Sequence, residues 1–269
     1  MLLSNTNICT IALVISLLLL LVVVVLVRQE PPKMPKVIWT YWNDPRRIPE
    51  VVSICMDSWR KHNPSFKIVV LNDDNQFAYT GLDFADGEKH GITSSEVQKK
   101  SDLIRMTVLS ERGGVWMDAS ILCLEPLTEL LPSAHPGVDY VGFFISSFTT
   151  RASSPVVENW FFAANRGCRF LKLWKEEFAR IDGFDSADAY VRDVVESGVD
   201  LQKIDGPTYL SNHVAAQKVC RSPTSGSRPS ASSTRSTGRS STWRSPAGTT
   251  GERSRASSTP APRPETPRS

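Results

Sequence analysis

The feature that most constrains this chain is the uncharged and almost wholly apolar run at residues 8–27. A helix of about twenty apolar residues is long enough to cross the ~30 Å hydrocarbon core of a bilayer. We therefore predict a membrane-spanning helix at 8–27, after a short segment 1–7 and before a linker 28–34. A cleaved signal peptide is the alternative, but the run is longer than usual, no small-residue cleavage site follows it, and no Lys or Arg precedes it.

The opposite end of the chain, residues 221–269, has no Leu, Ile, Val, Phe or Tyr and is predicted to be disordered. It contains nine Arg and two Glu, hence a formal charge of +7, which leaves −4 for the rest of a chain whose net charge is +3. One interpretation is a basic arm that binds anionic lipid or nucleic acid. The interpretation we favour is an out-of-frame translation, which would mean that the preceding domain lacks its last part.

Residues 35–220 are long enough for one domain with a hydrophobic core. The pattern predicts a strand at 37–42, a helix at 49–62 and a strand at 66–72. Strand, helix and strand in succession indicate a parallel βαβ unit of an α/β, Rossmann-type fold. Further along, we predict a strand at 140–145 and helices at 156–165 and 170–181.

The most informative segment for function is 101–120, where polar residues interrupt the apolar pattern at spaced positions. Ser94 to Arg112 is predicted as one helix, begun by a Ser95-x-x-Gln98 capping box and ended by Gly113-Gly114. Val115-Trp116-Met117 is then a buried strand, and Asp118-Ala119-Ser120 follows at its carboxyl end. Ligands bind at the carboxyl ends of strands in open α/β sheets.

Asp102 and Arg105 share one face of the predicted helix, at i and i+3. They form either a surface ion pair or part of a site at the end of the next strand. Asp118 is either a turn-forming residue or a ligand for a cation. The local sequence does not separate these alternatives.

Two blocks of the sequence together resemble glycosyltransferase family 32 and the related capsular polysaccharide synthesis proteins. The first block is Ser-Asp-x-x-Arg at 101–105, followed by Gly-Gly, an aromatic residue and an aspartate motif that ends at 120. The second block consists of Pro35 to Trp42 and of Ser58 to Pro64. The resemblance extends from about 35 to about 219, and it implies a GT-A-like domain that binds a nucleotide sugar.

The resemblance implies roles for the residues that match the motif. Asp118 is the first carboxylate of the family's Asp-x-Asp motif and binds Mn²⁺ or Mg²⁺, which bridges the donor's diphosphate. Ser120 fills the second acidic position, where a hydroxyl is a weaker ligand. Asp102 and Arg105 bind hydroxyls of the donor sugar, and with Asp118 they form the catalytic set.

The end of the first strand is expected to lie at the nucleotide, so Thr40, Tyr41 and Trp42 are candidate donor-binding residues. The alternative is that aromatic residues here only fill the core, which we expect for Trp39. Asn159 and Trp160 are candidates for contact with the acceptor, although Trp160 is more often core at such spacing. Asp73 could contact ribose and His213 could bind a metal, but a turn residue and a lone histidine are the commoner explanations.

The sequence thus predicts a membrane-anchored glycosyltransferase that moves a hexosyl unit from a nucleotide sugar to a glycan or polysaccharide acceptor. The transfer is predicted to depend on a metal ion and to retain the anomeric configuration. A catalytically inactive, membrane-tethered binding or scaffold protein is the alternative. We favour a type II Golgi protein with a luminal domain, as the eukaryotic members of the resembling family imply. The alternative is a cytosol-facing domain, which Arg28, Lys33 and Lys36 after the span favour. No nucleic-acid module, P-loop or zinc-like cysteine spacing is present.

Overall fold

The computed structural model describes residues 14–19, 34–135 and 137–221, and the backbone of 243–244. Residues 14–19 are helical and exposed. Within the described residues, no helix has both the length and the apolar character needed to cross a membrane. The rest of the predicted span at 8–27, and nearly all of the predicted disordered tail, lie outside these residues, so both remain predictions.

A five-stranded mixed sheet organises the domain. Its strands are β1 (Val37–Tyr41), β2 (Lys67–Leu71), β3 (Gly114–Met117), β5 (Tyr140–Phe144) and β6 (Val157–Ala164). They lie in the order β2-β1-β3-β6-β5. Strand β1 is parallel to both β2 and β3, and β6 is antiparallel to β3 and β5. A short strand β4 (Leu122–Cys123) pairs with β7 (Trp243–Arg244) from the tail.

Seven helices are described in residues 34–135 and 137–221. They are α1 (Glu50–His62), α2 (Gln76–Thr80), α3 (Gly91–Ser95), α4 (Val97–Arg112), α5 (Arg169–Ala179), α6 (Ala187–Glu196) and α7 (Ser211–Arg221). Short 3₁₀ turns occur at Thr128–Leu130, Pro132–Ala134 and Arg180–Gly183. Helix α4 packs on α5, which packs on α7.

The two faces of the sheet have separate hydrophobic cores, because successive residues of a strand point to opposite faces. Trp39 and Trp116 join α4 and α5 in one core. Ile38 and Val115, their neighbours along the strands, join α1 in the other. Burial on both faces explains why the central strands are almost continuously apolar.

The predicted parallel βαβ unit is confirmed by β1, α1 and β2. Its helix buries Val52, Cys55, Met56 and Trp59, the stripe that helical spacing predicts. Trp39 is a core residue, as expected, and its indole Nε1 donates to the Gly113 carbonyl oxygen at 3.0 Å.

The single helix predicted from Ser94 to Arg112 is wrong at its start. The chain forms α3, then an extended Glu96 (φ −124°, ψ 126°), then α4 from Val97. The Ser95 hydroxyl donates back to the Ile92 carbonyl oxygen at 2.8 Å, so the capping box does not form. The start of α3 is fixed from outside the segment, since the Asp182 carboxylate accepts the amides of Ile92 and Thr93.

The helix predicted at 156–165 is also wrong, because this segment is strand β6. A short apolar run fits a buried strand as well as a helix, and periodicity does not distinguish them. Here the open edge of β3 decides the outcome, since β6 pairs with β3 from Gly114 to Met117. The strand at 140–145 and the helix at 170–181 are confirmed to within two residues at either end, as β5 and α5.

Candidate active site

A cavity of about 380 Å³ opens at the carboxyl ends of β1 and β3. Its lining residues come from four regions, namely the end of β1, helix α4, the turn after β3 together with β6, and the start of α7. They are Tyr41, Trp42, Asn43, Val97, Gln98, Ser101, Asp102, Arg105, Asp118, Ala119, Ser120, Asn159, Tyr209, Leu210 and His213. All the predicted site residues except Thr40 therefore line the same cavity.

The two glycines between α4 and β3 fix how these elements meet. Gly114 has φ +112°, and a Cβ there would lie 2.7 Å from the Val37 carbonyl oxygen and 2.9 Å from the Trp39 indole nitrogen. Gly113 also has a positive φ, of +69°. The reversal lets β3 run beside β1, which brings Asp118 back towards Asp102 and Arg105 on the preceding helix.

Arg105 is the centre of the site. Its side chain is 6% exposed, and its Nη2 lies 3.3 Å from Asp102 Oδ1 while its Nη1 lies 3.3 Å from Asp118 Oδ1. Nη1 also donates to the Asn159 carbonyl oxygen, Nη2 to the Ser101 hydroxyl and Nε to the Ser101 carbonyl oxygen. The guanidinium carbon lies 5.1 Å from the centre of the Trp116 ring. The surface ion pair weighed for Asp102 and Arg105 is thereby excluded, because both residues are buried.

Asp102 is held by its own helix and by the neighbouring strand β6. The Asn159 amide, on β6, donates to Asp102 Oδ1 at 3.0 Å, and Arg105 supplies the charge partner. Burial raises the pKa of the Asp102 carboxyl, and the nearby charges of Arg105 and His213 oppose that rise. Asn159, predicted as a candidate for contact with the acceptor, is therefore a residue of the site through its bond to Asp102.

Asp118 lies at the carboxyl end of β3, and its side chain is 35% exposed. Its Oδ1 accepts from the Trp116 indole at 2.8 Å, and the following turn is closed by the Ile121 amide on the Asp118 carbonyl oxygen. The main chain, and not the carboxylate, thus forms this turn. Burial raises the pKa of the Asp118 carboxyl, opposed by Arg105 and by the bond from Trp116.

Asp118 and Ser120 place a carboxylate and a hydroxyl on the cavity wall, the hard oxygen ligands that Mg²⁺ and Mn²⁺ prefer. Within the described part of the chain, no group of three or more His, Cys, Asp or Glu side chains could hold a metal ion. Two protein oxygens fit a cation whose other ligands come from a phosphorylated substrate or from water. The donor set therefore suits a substrate-borne cation better than a closed structural site.

The three residues predicted to meet the nucleotide have different environments. Thr40 is fully buried and does not line the cavity. Tyr41 lines it, and its hydroxyl donates to Asp73 Oδ1 at 2.5 Å; burial and this bond raise its pKa. Trp42 also lines the cavity, and its indole Nε1 donates to the Arg47 carbonyl oxygen at 3.0 Å. Asp73 is thus more than a solvated turn residue.

Sequence reasoning missed the contribution of the segment at the start of α7. Tyr209 is 68% exposed at the cavity, and His213 on α7 is 4% exposed and lines it. His213 was visible in the sequence as a lone histidine. Its place opposite Asp102 depends on α7 packing against α5 and β6, which no local pattern predicts.

A family model of capsular polysaccharide synthesis proteins matches residues 25–180. The chain belongs to this family. The matched range contains Asp102, Arg105, Asp118, Ser120 and Asn159, so most of the cavity wall of this capsular polysaccharide synthesis family member lies within it. The start of α7 lies beyond it.

No curated protein sequence matches this family member significantly. Among solved structures it is similar to one described as PaToxG glycosyltransferase, with 12% sequence identity and a TM-score of 0.41. The similarity covers 74% of this chain and 86% of that one.

Proposed function

We propose that this protein is a membrane-anchored glycosyltransferase of GT-A type, which moves a hexosyl unit from a nucleotide sugar to a hydroxyl of a glycan or polysaccharide. The observation that carries the proposal is the arrangement of Asp102 and Asp118 on either side of Arg105, 3.3 Å from each, in one cavity at the strand ends. Membership of a capsular polysaccharide synthesis family supports a sugar substrate.

The proposed reaction exchanges one bond at the anomeric carbon. The bond from that carbon to the diphosphate oxygen breaks, and its electron pair leaves with the nucleoside diphosphate. The acceptor hydroxyl oxygen bonds to the same carbon, with configuration retained, and its proton passes to the departing phosphate oxygen. No carboxylate base is required by this scheme, because the leaving group takes the proton.

Asp102 is the proposed acceptor of hydroxyls from the donor sugar, because its carboxylate lines the cavity while Asn159 and Arg105 fix its orientation. Arg105 was expected to bind the sugar directly. Each of its three guanidinium nitrogens already contacts a protein oxygen, so we assign it the positioning of the two carboxylates. Tyr41 and Trp42 are the proposed contacts of the base.

Asp118 and Ser120 are the residues that would hold Mn²⁺ or Mg²⁺. When bound, the cation would offset the negative charge that develops on the nucleoside diphosphate as it leaves. The carboxylates of Asp102 and Asp118 flank one arginine, and a third carboxylate, that of Glu158, interacts electrostatically with Asp118. This excess of negative charge makes an added cation favourable for an anionic donor. Anchoring by residues 8–27, with a luminal Golgi or a cytosol-facing domain, is part of the proposal.

The test is hydrolysis of UDP- and GDP-sugars by the full chain in detergent, with Mn²⁺, with Mg²⁺ and with chelator. We expect one donor to be turned over only when a metal is present. Asp118→Ala should abolish this turnover without unfolding the protein, because its carboxylate is partly exposed at the cavity. Asp57→Ala, which removes a 71% exposed carboxylate on α1, is the matched control and should keep full activity.

The outcomes separate the alternatives. Turnover that persists in chelator and in Asp118→Ala would refute the metal role and leave the transferase. Silence with every donor, from a protein that unfolds cooperatively, would favour the inactive binding or scaffold protein.

A further inference from the structure

The cavity extends across three neighbouring strands, and different elements line its two sides. Trp42 follows β1 on one side, Asp118 follows β3 in the middle, and Asn159 on β6 lies on the other side, where α7 packs. Neighbouring strands are about 4.8 Å apart, so β1 and β6 are separated by about 10 Å. With the base at Trp42 and the diphosphate at Asp118, the side towards β6 and α7 is left for the sugars.

The residues on that side differ in depth. Asp102, the proposed contact of the donor sugar, is 8% exposed and is bonded to Asn159. Tyr209, which precedes α7, is 68% exposed and lines the same cavity. A donor sugar on Asp102 therefore occupies the deeper part, and a second sugar that enters from solvent meets Tyr209 at the mouth.

The turn that carries Tyr209 is anchored on both sides of this residue. The Leu210 amide donates to the Gly206 carbonyl oxygen at 3.0 Å. The Thr208 hydroxyl donates to the Asp188 carboxylate at the start of α6. An exposed side chain on an anchored backbone is pre-organised, so a ligand that covers it pays a smaller entropic cost.

The Tyr209 side chain is free to receive a ligand. Within residues 34–135 and 137–221, its hydroxyl forms no hydrogen bond and no other ring stacks on it. Val97, at the start of α4, is 48% exposed and also lines the cavity. Exposed apolar surface of this kind around a cavity is typical of a ligand-binding groove.

A sugar ring fits this surface chemically. A pyranose has an apolar face of C–H groups and hydroxyls around its edge. Tyrosine likewise has an apolar ring face and one polar hydroxyl at its edge, so the two can stack while their polar groups remain in water.

We propose that Tyr209 is the platform on which a sugar ring of the acceptor stacks, so that an acceptor hydroxyl reaches the donor sugar held at Asp102. The platform recognises the shape of a pyranose ring and not its pattern of hydroxyls. The inference rests on the proposed function, since it names a residue that binds the second substrate of that reaction.

The experiment is transfer by the full chain with Mn²⁺, in a detergent without a sugar head group. The donor is the nucleotide sugar that the wild type hydrolyses, and the acceptors are the methyl glycosides of mannose, galactose and glucose. In Tyr209→Ala, the KM for the accepted glycosides should rise roughly tenfold or more, because the buried aromatic contact is lost. The KM for the donor should stay close to that of the wild type. Tyr209→Phe keeps the ring and should keep the acceptor KM.

The matched control is Phe77→Ala. Phe77 is an aromatic residue on α2 that is 58% exposed and does not line the cavity. This variant should leave both KM values unchanged. Urea unfolding of the same proteins should give closely similar midpoints, because both side chains are mostly exposed.

Three outcomes would overturn this inference and leave the proposed function standing. The first is an unchanged acceptor KM in Tyr209→Ala, and the second is an equal loss in Tyr209→Phe, which would assign the effect to the hydroxyl. The third is a rise in the donor KM instead, which would place Tyr209 on the donor sugar.

Transfer to none of the glycosides, by a protein that hydrolyses a donor, would also overturn the inference, because stacking tolerates any pattern of hydroxyls. A folded wild type that hydrolyses no donor would overturn the proposed function and this inference with it.

Discussion

Arg105 Nη1 and Asp118 Oδ1 lie 3.3 Å apart, and this ion pair joins helix α4 to the carboxyl end of strand β3. The same guanidinium lies 3.3 Å from Asp102 on its own helix, and it stacks over the Trp116 ring. One buried side chain thus sets the positions of both carboxylates. Arg105 therefore determines the stability of the site as well as its geometry.

Replacing Arg105 by Gln should destabilise the protein by about 3–5 kcal/mol, because two buried or partly buried carboxylates lose their charge partner. Equilibrium unfolding in urea measures this. Arg60→Gln is the control, since Arg60 forms an ion pair with Asp57 in which both side chains are more than half exposed. That change should cost about 0–1 kcal/mol. Equal losses in the two variants would show that Arg105 is not a structural centre.

Asn159→Ala should lower kcat/KM for donor hydrolysis roughly tenfold or more while the protein stays folded, because Asp102 loses the amide that orients it at 3.0 Å. Asn165→Ala removes a matched bond, from an exposed amide to Asp139 Oδ1 at 3.0 Å just after the same strand. It should leave hydrolysis unchanged. A loss of activity common to both variants would point to damage to β6 rather than to Asp102.

Asp102→Asn should raise the midpoint of thermal unfolding at pH 7 while it lowers donor turnover. Burial raises the pKa of Asp102 despite Arg105, so the folded state binds this proton more tightly than the unfolded state does. A carboxyl whose pKa is raised in this way lowers the free energy of unfolding as the pH rises above about 4, the pKa of the same group in the unfolded chain. Below that pH the effect is absent. The gain in the variant should therefore shrink as the pH falls towards 4.

The matched comparison for that variant is Asp57→Asn, whose carboxylate is 71% exposed and whose effect on the midpoint should be small at every pH. A lower midpoint for Asp102→Asn at pH 7 would mean that the attraction of Arg105 outweighs the cost of burial.

Gly114→Ala should destabilise the protein by more than about 1 kcal/mol, because the new Cβ meets the Val37 carbonyl oxygen at 2.7 Å and φ is +112°. Since β3 would be forced away from β1, turnover should fall as well. Gly183→Ala, where nothing lies within 4 Å of the added Cβ, should be nearly neutral. Urea unfolding of the two variants checks the difference, and equal midpoints would exclude the clash.

The start of the domain was predictable because its signals are local. The stripe of Val52, Cys55, Met56 and Trp59 indicated helix α1, and the β-branched runs on either side indicated β1 and β2. Gly113-Gly114 likewise marked the end of α4. Asp102, Arg105 and Asp118 were predicted to converge by their spacing and by the family resemblance, and the structure brings them together at ion-pair distances.

The remaining features of the fold and of the site depended on contacts between segments that are distant in sequence. Residues 157–164 read equally well as helix or strand, and the open edge of β3 decided for the strand. The pairing of β6 with β3 brings the Asn159 side-chain amide to Asp102, and Asp182, far along the chain, accepts the Ile92 amide at the start of α3. The sequence by itself determined which side chains are candidates for the chemistry, because residue type and local spacing suffice to select them. Only the tertiary structure decided that the Arg105 guanidinium donates its hydrogen bonds to protein oxygens and that His213 faces Asp102. Both arrangements depend on how distant strands and helices pack against one another.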